Sequence, residues 1–263
     1  MVATNPIGVF DSGVGGVSIW TALIQELPYE NTIYLADSKN APYGERSKQE
    51  IIDLSVKNTE LLLDKGCKLI VVACNTATTN AIDYLRANYD VPFIGIEPAI
   101  KPAALRTNTN AIGILATKGT LSSELFHSTS QKFTEGITVV ETIGEGLVPL
   151  IESNQINGKK MEQLLQHYLQ PMLQKKIDYL VLGCSHYPFL IPQIKKIVGD
   201  AVIIIDSGEA VARQTKNILQ KNKIVNTNIE APSHKLYSNA DINTLSGIVK
   251  KISPSAIVGF LKF

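Results

Sequence analysis

The run LIVVACNTATT ends in Cys74, Asn75 and Thr76, and the run LVLGCSHYPFL ends in Cys184, Ser185 and His186. Each is an apolar stretch that stops abruptly at a thiol with hydrogen-bonding residues behind it. Four chemistries compete for such thiols. A redox pair would show C-x-x-C, which is absent. A zinc site would need a fourth ligand and paired spacings, and Cys184 and His186 plus Cys74 are a poor match. A covalent nucleophile needs one Cys with a base and leaves the second Cys idle. Proton transfer from both sides of a carbon uses both thiols and needs no metal: one thiolate removes a proton while the opposite thiol donates one. Polar neighbours such as Asp11 and His186 would tune each thiol's protonation.

Each of these residues also has a structural reading. A free Cys at the end of a buried strand behaves as a small hydrophobe. Cys67, which follows Gly66 at a strand start and has no polar followers, is read that way. Asp11, Ser12 and Thr117 could cap helices or turns. Two cysteines with the same kind of polar followers weigh against a purely structural role for the pair. DSGVGG (residues 11–16) matches neither G-x-G-x-x-G nor G-x-x-x-x-G-K-[ST], so a nucleotide loop is poorly supported. Its glycines would still let backbone N–H groups approach a carboxylate at a helix N-terminus. APYGERS (41–47) reads as a turn offering amides and a phenol, or as a plain exposed turn.

Composition narrows the setting. The chain has 263 residues, 44% hydrophobic and 19% charged, with 25 Lys+Arg against 24 Asp+Glu. That balance, with no basic cluster, argues against a dedicated nucleic-acid binder. No apolar run approaches a membrane span, and MVATNPIGVFDSG lacks the charged and apolar regions of a secretory signal. Three cysteines suit a reducing cytoplasm better than a disulfide framework. A soluble cytoplasmic protein is expected.

The elements that must position the thiols follow from periodicity. Short apolar runs alternate with amphipathic segments, which predicts an α/β fold with mainly parallel sheets. Strands are expected at 7–11, 32–37, 68–74 and 93–97, then at 111–117, 138–143, 179–184 and 202–206. Their consecutive apolar positions predict helices on both faces. Ser47 and Glu50 form a capping box for a helix through Leu63 that Gly66 stops. Further helices are expected at 78–88, 159–174 and 208–220, a short strand at 235–238 and a last helix near 241–251. IGVFDSG and IGILATKG begin two parallel series, each followed by a strand ending in cysteine and a later strand ending in an acid (Glu97, Asp206). Two similar, pseudo-symmetric halves would bring both cysteine-bearing strand ends to one interdomain cleft, since ligands bind beyond the carboxyl ends of strands in open α/β sheets.

IGVFDSGVGG, YLADSKNAPYGERS, VVACNTATT and LVLGCSHYP together resemble, in order, the motif set of the glutamate racemases. The resemblance spans essentially the whole chain. It implies interconversion of L- and D-glutamate without pyridoxal phosphate or metal, supplying D-glutamate for peptidoglycan. It implies two α/β domains, 1–98 plus 209–263 and 99–208, and a homodimer. Carried over by motif, Cys74 acts on D-glutamate and Cys184 on L-glutamate, with Asp11 assisting the first and His186 the second. Glu152, in GLVPLIES, matches the family's helix acid and supports His186. Substrate contacts map to Asp11, Ser12, Tyr43, Gly44, Asn75, Thr76, Thr117, Ser185 and His186, and these positions hold no Arg or Lys. Ser185 stands where the family more often has Thr, which keeps the hydroxyl but loses a methyl. TIGEGLVPLIES lacks the Cys-Pro commonly found there, and the N-terminal extension of some relatives is expected to be missing. The competing expectations are an aspartate or broad amino-acid racemase of the same superfamily, and a two-lobed amino-acid binding protein without turnover, for which two thiols would be superfluous.

Overall fold

The computed structural model describes residues 2–263. Among these residues, ten strands form two separate sheets. The first contains β1 (Ile7–Asp11), β2 (Thr32–Ala36), β3 (Leu69–Val72) and β4 (Phe93–Gly95). The second contains β5 (Ala111–Ala116), β6 (Thr138–Ile143), β7 (Tyr179–Gly183) and β8 (Ile203–Ile205). Two late strands, β9 (His234–Ser238) and β10 (Ile257–Phe260), join the first sheet. Its order is β10-β9-β2-β1-β3-β4, and that of the second is β6-β5-β7-β8. Every pairing is parallel.

The two sheets therefore repeat one winding, and the internal echo in the sequence is its trace. In both, the chain leaves the founding strand to one side, then crosses back to its other side. That reversal lies between β1 and β3 in one sheet and between β5 and β7 in the other. Such switch points open a crevice at the strand carboxyl ends, because the connecting segments diverge there. The register aligns Phe10 with Val72 and Ala116 with Gly183. Asp11 and Cys74 thus leave the first sheet at its crevice, and Thr117 and Cys184 leave the second at its own.

Helices α1 (Val17–Glu26), α2 (Lys48–Asp64), α3 (Asn75–Asn88) and α4 (Ile100–Ala104) follow the first four strands. Then come α5 (Lys118–Leu121), α6 (Glu124–Phe133), α7 (Leu147–Glu152), α8 (Lys159–Gln174) and α9 (Ile191–Val198). The last two are α10 (Gly208–Lys221) and α11 (Asn243–Ile252). The capping box is present: Ser47 Oγ accepts from Glu50 N–H and Glu50 accepts from Ser47 N–H. One apolar cluster runs through both sheets, from Val9, Val17 and Trp20 to Leu115, Leu147, Ile151 and Leu182. Full burial of side chains of this size contributes roughly 1.5–3 kcal/mol each, which holds the two units together around the crevice. Separate clusters cover the outer faces of the first and second sheets.

Coverage on both faces fails at the edges. Along β6 and β8 the side chains are half-buried or exposed, with Ile143 and Ile203 on the surface, since an edge strand meets fewer covering helices. Several strands also stop short of their expected ends: β3 at Val72, β4 at Gly95, β7 at Gly183 and β8 at Ile205. The thiols and the acids Glu97 and Asp206 therefore lie in the loops just beyond. Among the described residues, no helix is long and apolar enough to cross a membrane.

Candidate active site

Ser12, Tyr43, Gly44, Cys74, Asn75 and Thr76 from the first unit face Thr117, Cys184, Ser185 and His186 from the second, closed around a void of only about 10 Å³. Pro42 and Val148 complete its lining. The structure thus brings ten of the twelve sequence-picked residues to one crevice. Asp11 and Glu152 stand behind it, hydrogen-bonded to residues that line it.

The DSGVGG turn holds carboxylates, and they belong to the chain itself. Asp11 Oδ2 accepts from Gly16 N–H at 2.9 Å and Gly13 N–H at 3.2 Å. Val14 N–H donates to Glu152 Oε1 at 2.7 Å. The glycines are required by close approach: a Cβ on Gly13 would lie 2.0 Å from Glu152 Oε1, and one on Gly15 would lie 2.2 Å from His186 Nδ1. Real Cβ contacts do not come that close, so the turn is bare because the second unit's side chains rest on it.

At the Cys184 wall, His186 Nδ1 lies 3.8 Å from the sulfur and His186 Nε2 lies 2.6 Å from Glu152 Oε1. Ser38 Oγ donates to Glu152 Oε2 at 3.0 Å. Ser185 Oγ donates to Asp11 Oδ1 at 3.1 Å, and Ser18 Oγ donates to the Ser185 carbonyl at 2.9 Å. At the Cys74 wall, the sulfur caps α3 by accepting Ala77 N–H at 3.4 Å and donates to Ser12 Oγ at 3.7 Å. Thr76 and Thr117 meet hydroxyl to hydroxyl at 2.8 Å across the two units, with Thr120 beside both. The Tyr43 phenol donates to buried Asp37 at 2.5 Å and accepts from Asn58 at 3.1 Å. Its hydroxyl is engaged inside the first unit. Asn75 Oδ1 is buried without a hydrogen-bond partner, an acceptor available to a ligand's donor.

The two walls differ electrostatically. Burial, reinforced by the Asp11 carboxylate, pushes the Cys74 thiol far above its ordinary range. A helix N-terminus usually favours a thiolate, but here removal from water wins. Burial also raises Asp11, although the His186 charge and the Gly16 N–H pull the other way. His186 shows the reverse balance. Burial opposes its charged form, yet the bonds and charges of Cys184 and Glu152 outweigh that and raise it well above the usual value. Glu152 is lowered: burial opposes its charge, but His186, Val14 N–H and Ser38 together prevail.

Sequence reasoning passed over Pro42, Val148, Ser18, Ser38 and Thr120. Ser38 and Pro42 sit inside the quoted ADSKNAPYGERS, so a signal existed. Val148, Ser18 and Thr120 carry no local pattern that singles them out. No Lys or Arg lines the void, and among the described residues no cluster of three His, Cys, Asp or Glu could hold a metal. A cleft with a thiol on each wall is suited to handing a proton across a bound molecule.

The family model described as Asp/Glu/Hydantoin racemase matches residues 15–215. The chain belongs to that family. This Asp/Glu racemase-family chain is 43% identical over 237 residues to the glutamate racemase of Herpetosiphon aurantiacus, covering 90% of its own length and 93% of the relative's. Its fold superposes on the Escherichia coli glutamate racemase in complex with L-glutamate and the activator UDP-MurNAc-Ala, with a TM-score of 0.87, 30% identity and 98% of each chain covered. It also superposes on the Francisella tularensis glutamate racemase in complex with D-glutamate, with a TM-score of 0.84 and 29% identity, covering 100% of this chain and 98% of that one.

Proposed function

We propose that the chain is a cofactor-independent glutamate racemase in which Cys74 and Cys184 exchange the Cα proton between L- and D-glutamate. The observation that carries this is the pair of thiols, one from each sheet's switch point, on a single small void. In the L-to-D direction, the Cys184 thiolate takes the Cα proton and the C–H electron pair stays on carbon, delocalised into the α-carboxylate. The Cys74 thiol then gives its proton to the opposite face. The cycle ends with D-glutamate, a thiol at Cys184 and a thiolate at Cys74, and D-to-L runs the same steps backwards.

The surroundings suit these roles. Burial and Asp11 keep Cys74 protonated and make its thiolate a stronger base once it forms. His186, at 3.8 Å, manages the proton of Cys184 and is oriented by Glu152. The substrate's carboxylates and ammonium are held by hydroxyls and amides of Ser12, Tyr43, Gly44, Asn75, Thr76, Thr117, Ser185 and His186, with Asp11 behind them. With its phenol engaged by Asp37, Tyr43 would act through its backbone N–H. The same reading includes a domain of residues 1–98 plus 209–263 and one of 99–208, a homodimer, a cytoplasmic location and supply of D-glutamate for peptidoglycan.

Circular dichroism of a D-glutamate solution tests it. Wild-type protein should erase the optical signal. Cys74→Ala and Cys184→Ala, each folded by far-ultraviolet spectrum, should be slower by at least roughly 10²–10⁴-fold, the range for loss of a general acid or base. A variant that keeps full rate would remove its cysteine from the mechanism. Turnover of aspartate in preference to glutamate would overturn the substrate.

A further inference from the structure

Ser38 opens a short 3-10 turn, Ser38–Asn40, directly after β2. Its hydroxyl donates to Glu152 Oε2 at 3.0 Å. The other oxygen, Oε1, takes both His186 Nε2 at 2.6 Å and Val14 N–H at 2.7 Å. Two donors on one oxygen leave a carboxylate free to pivot about that atom. A donor on the second oxygen fixes its plane, and bonds to an ionised acceptor are the stronger kind. Beyond Oε2 lies a cavity of about 490 Å³ bounded by Ser38, Pro42, Val148, Asp241 and Thr244. Without Ser38, packing on that side would do little to stop Glu152 from turning outward and releasing His186.

We propose that Ser38 is a positioning residue for one of the two proton transfers: by anchoring Glu152 Oε2 it keeps His186 aimed at Cys184, and so governs the transfer at the Cys184 face. The assignment rests on the two-thiol reading above. Its partners cross the crevice. Ser38 and Val14 come from loops of the first sheet, whereas Glu152 and His186 come from the second, so the dyad is aimed from the opposite wall.

L- and D-glutamate have equal free energy in achiral water, so kcat/KM must be equal in the two directions for any variant. A defect at one face therefore cannot appear as a one-way loss of rate. It appears in the primary isotope effects, because the impaired transfer becomes more rate-limiting than its partner. Ser38→Ala should lower kcat/KM by about tenfold to 150-fold, from a lost bond to a charged group. With Cα-deuterated L-glutamate, whose deuteron Cys184 removes, the isotope effect should rise. With Cα-deuterated D-glutamate it should fall towards one. The Ser38→Thr variant, which keeps the hydroxyl, should restore both rate and isotope effects. A rate loss with unpolarised isotope effects, or no rate loss, would overturn the assignment. Glu152→Gln, run in parallel, separates the two levels. If it keeps full activity, the role given to Glu152 and His186 fails. If it is slow with polarised isotope effects while Ser38→Ala behaves as wild type, only the Ser38 assignment fails.

Discussion

His186 sits fully buried between a carboxylate and a thiol, and its charge is decided by which of two opposing effects is larger. Burial alone would make it a neutral imidazole, but Glu152 and Cys184 raise its pKa well above the ordinary value of 6.5. Glu152 moves the opposite way, below its ordinary 4.5. The linkage follows from these signs. A histidine whose folded pKa is raised adds stability that is complete below about pH 6.5 and is lost as pH climbs through the folded value. A glutamate whose folded pKa is lowered adds stability that is complete above about pH 4.5 and is lost as pH falls through the folded value. The pair therefore stabilises the protein fully only between those limits. Nuclear magnetic resonance of the imidazole should show His186 still protonated at neutral pH. Glu152→Gln removes the carboxylate's charge while keeping an amide oxygen that can accept from the ring, and should move the titration to lower pH; an unmoved titration would mean that the pair is not ionic. At this scale Cys74, Cys184 and His186 were legible because thiols and an imidazole at strand ends are rare enough to draw notice. Glu152 looked like any helix-end acid, and only the resemblance picked it out. Its partner Ser38 lies 114 positions away in sequence, and no local pattern links them.

The elements that carry these residues were legible wherever strands are buried on both faces, because consecutive apolar residues mark them. The periodicity failed at α3, whose predicted start at residue 78 falls three residues after the observed one at Asn75. Its cap is the Cys74 sulfur, which is not among the usual capping side chains. It failed at α1, where Gly16 caps without a side chain. It missed β10, a half-exposed edge strand, α9, which follows a proline-containing turn, and the helices α4 to α7. The glycines of DSGVGG were visible, but their reason was not, since the side chains that need the space come from the other sheet. Gly15→Ala tests that reason. The new methyl would meet the His186 ring, which Glu152 holds from behind, so the ring cannot retreat cheaply. Overpacking of this kind costs about 1–3 kcal/mol. Urea unfolding should show a lower midpoint with an unchanged slope, and racemisation should fall with it. A variant with wild-type midpoint and rate would show that the turn has room to yield.

Across the whole molecule, the two sheets share a winding but not a boundary. β9 and β10 extend the first sheet past β2, and Asn239, just after β9, donates to Asp37 and accepts Lys39 N–H at 2.9 Å. Chain from the far C-terminus thus braces the loop that carries Ser38, Tyr43 and Gly44. The duplicated winding was legible as a weak echo, whereas this bracing was not, because it joins segments some 200 residues apart. Each wall of the crevice is anchored in its own sheet, so a ligand held by both walls must couple the two units. Anything that binds only the folded state stabilises it by RT ln(1 + [L]/Kd), about 2.7 kcal/mol at a hundredfold excess over Kd. For units of this size that corresponds to a rise in Tm of roughly 5–10 °C. Calorimetry with saturating D-glutamate should therefore show one transition moved upward as a whole. A split into a shifted and an unshifted transition would mean that glutamate is gripped by one unit alone. That outcome would be incompatible with thiols acting from opposite walls on the same carbon.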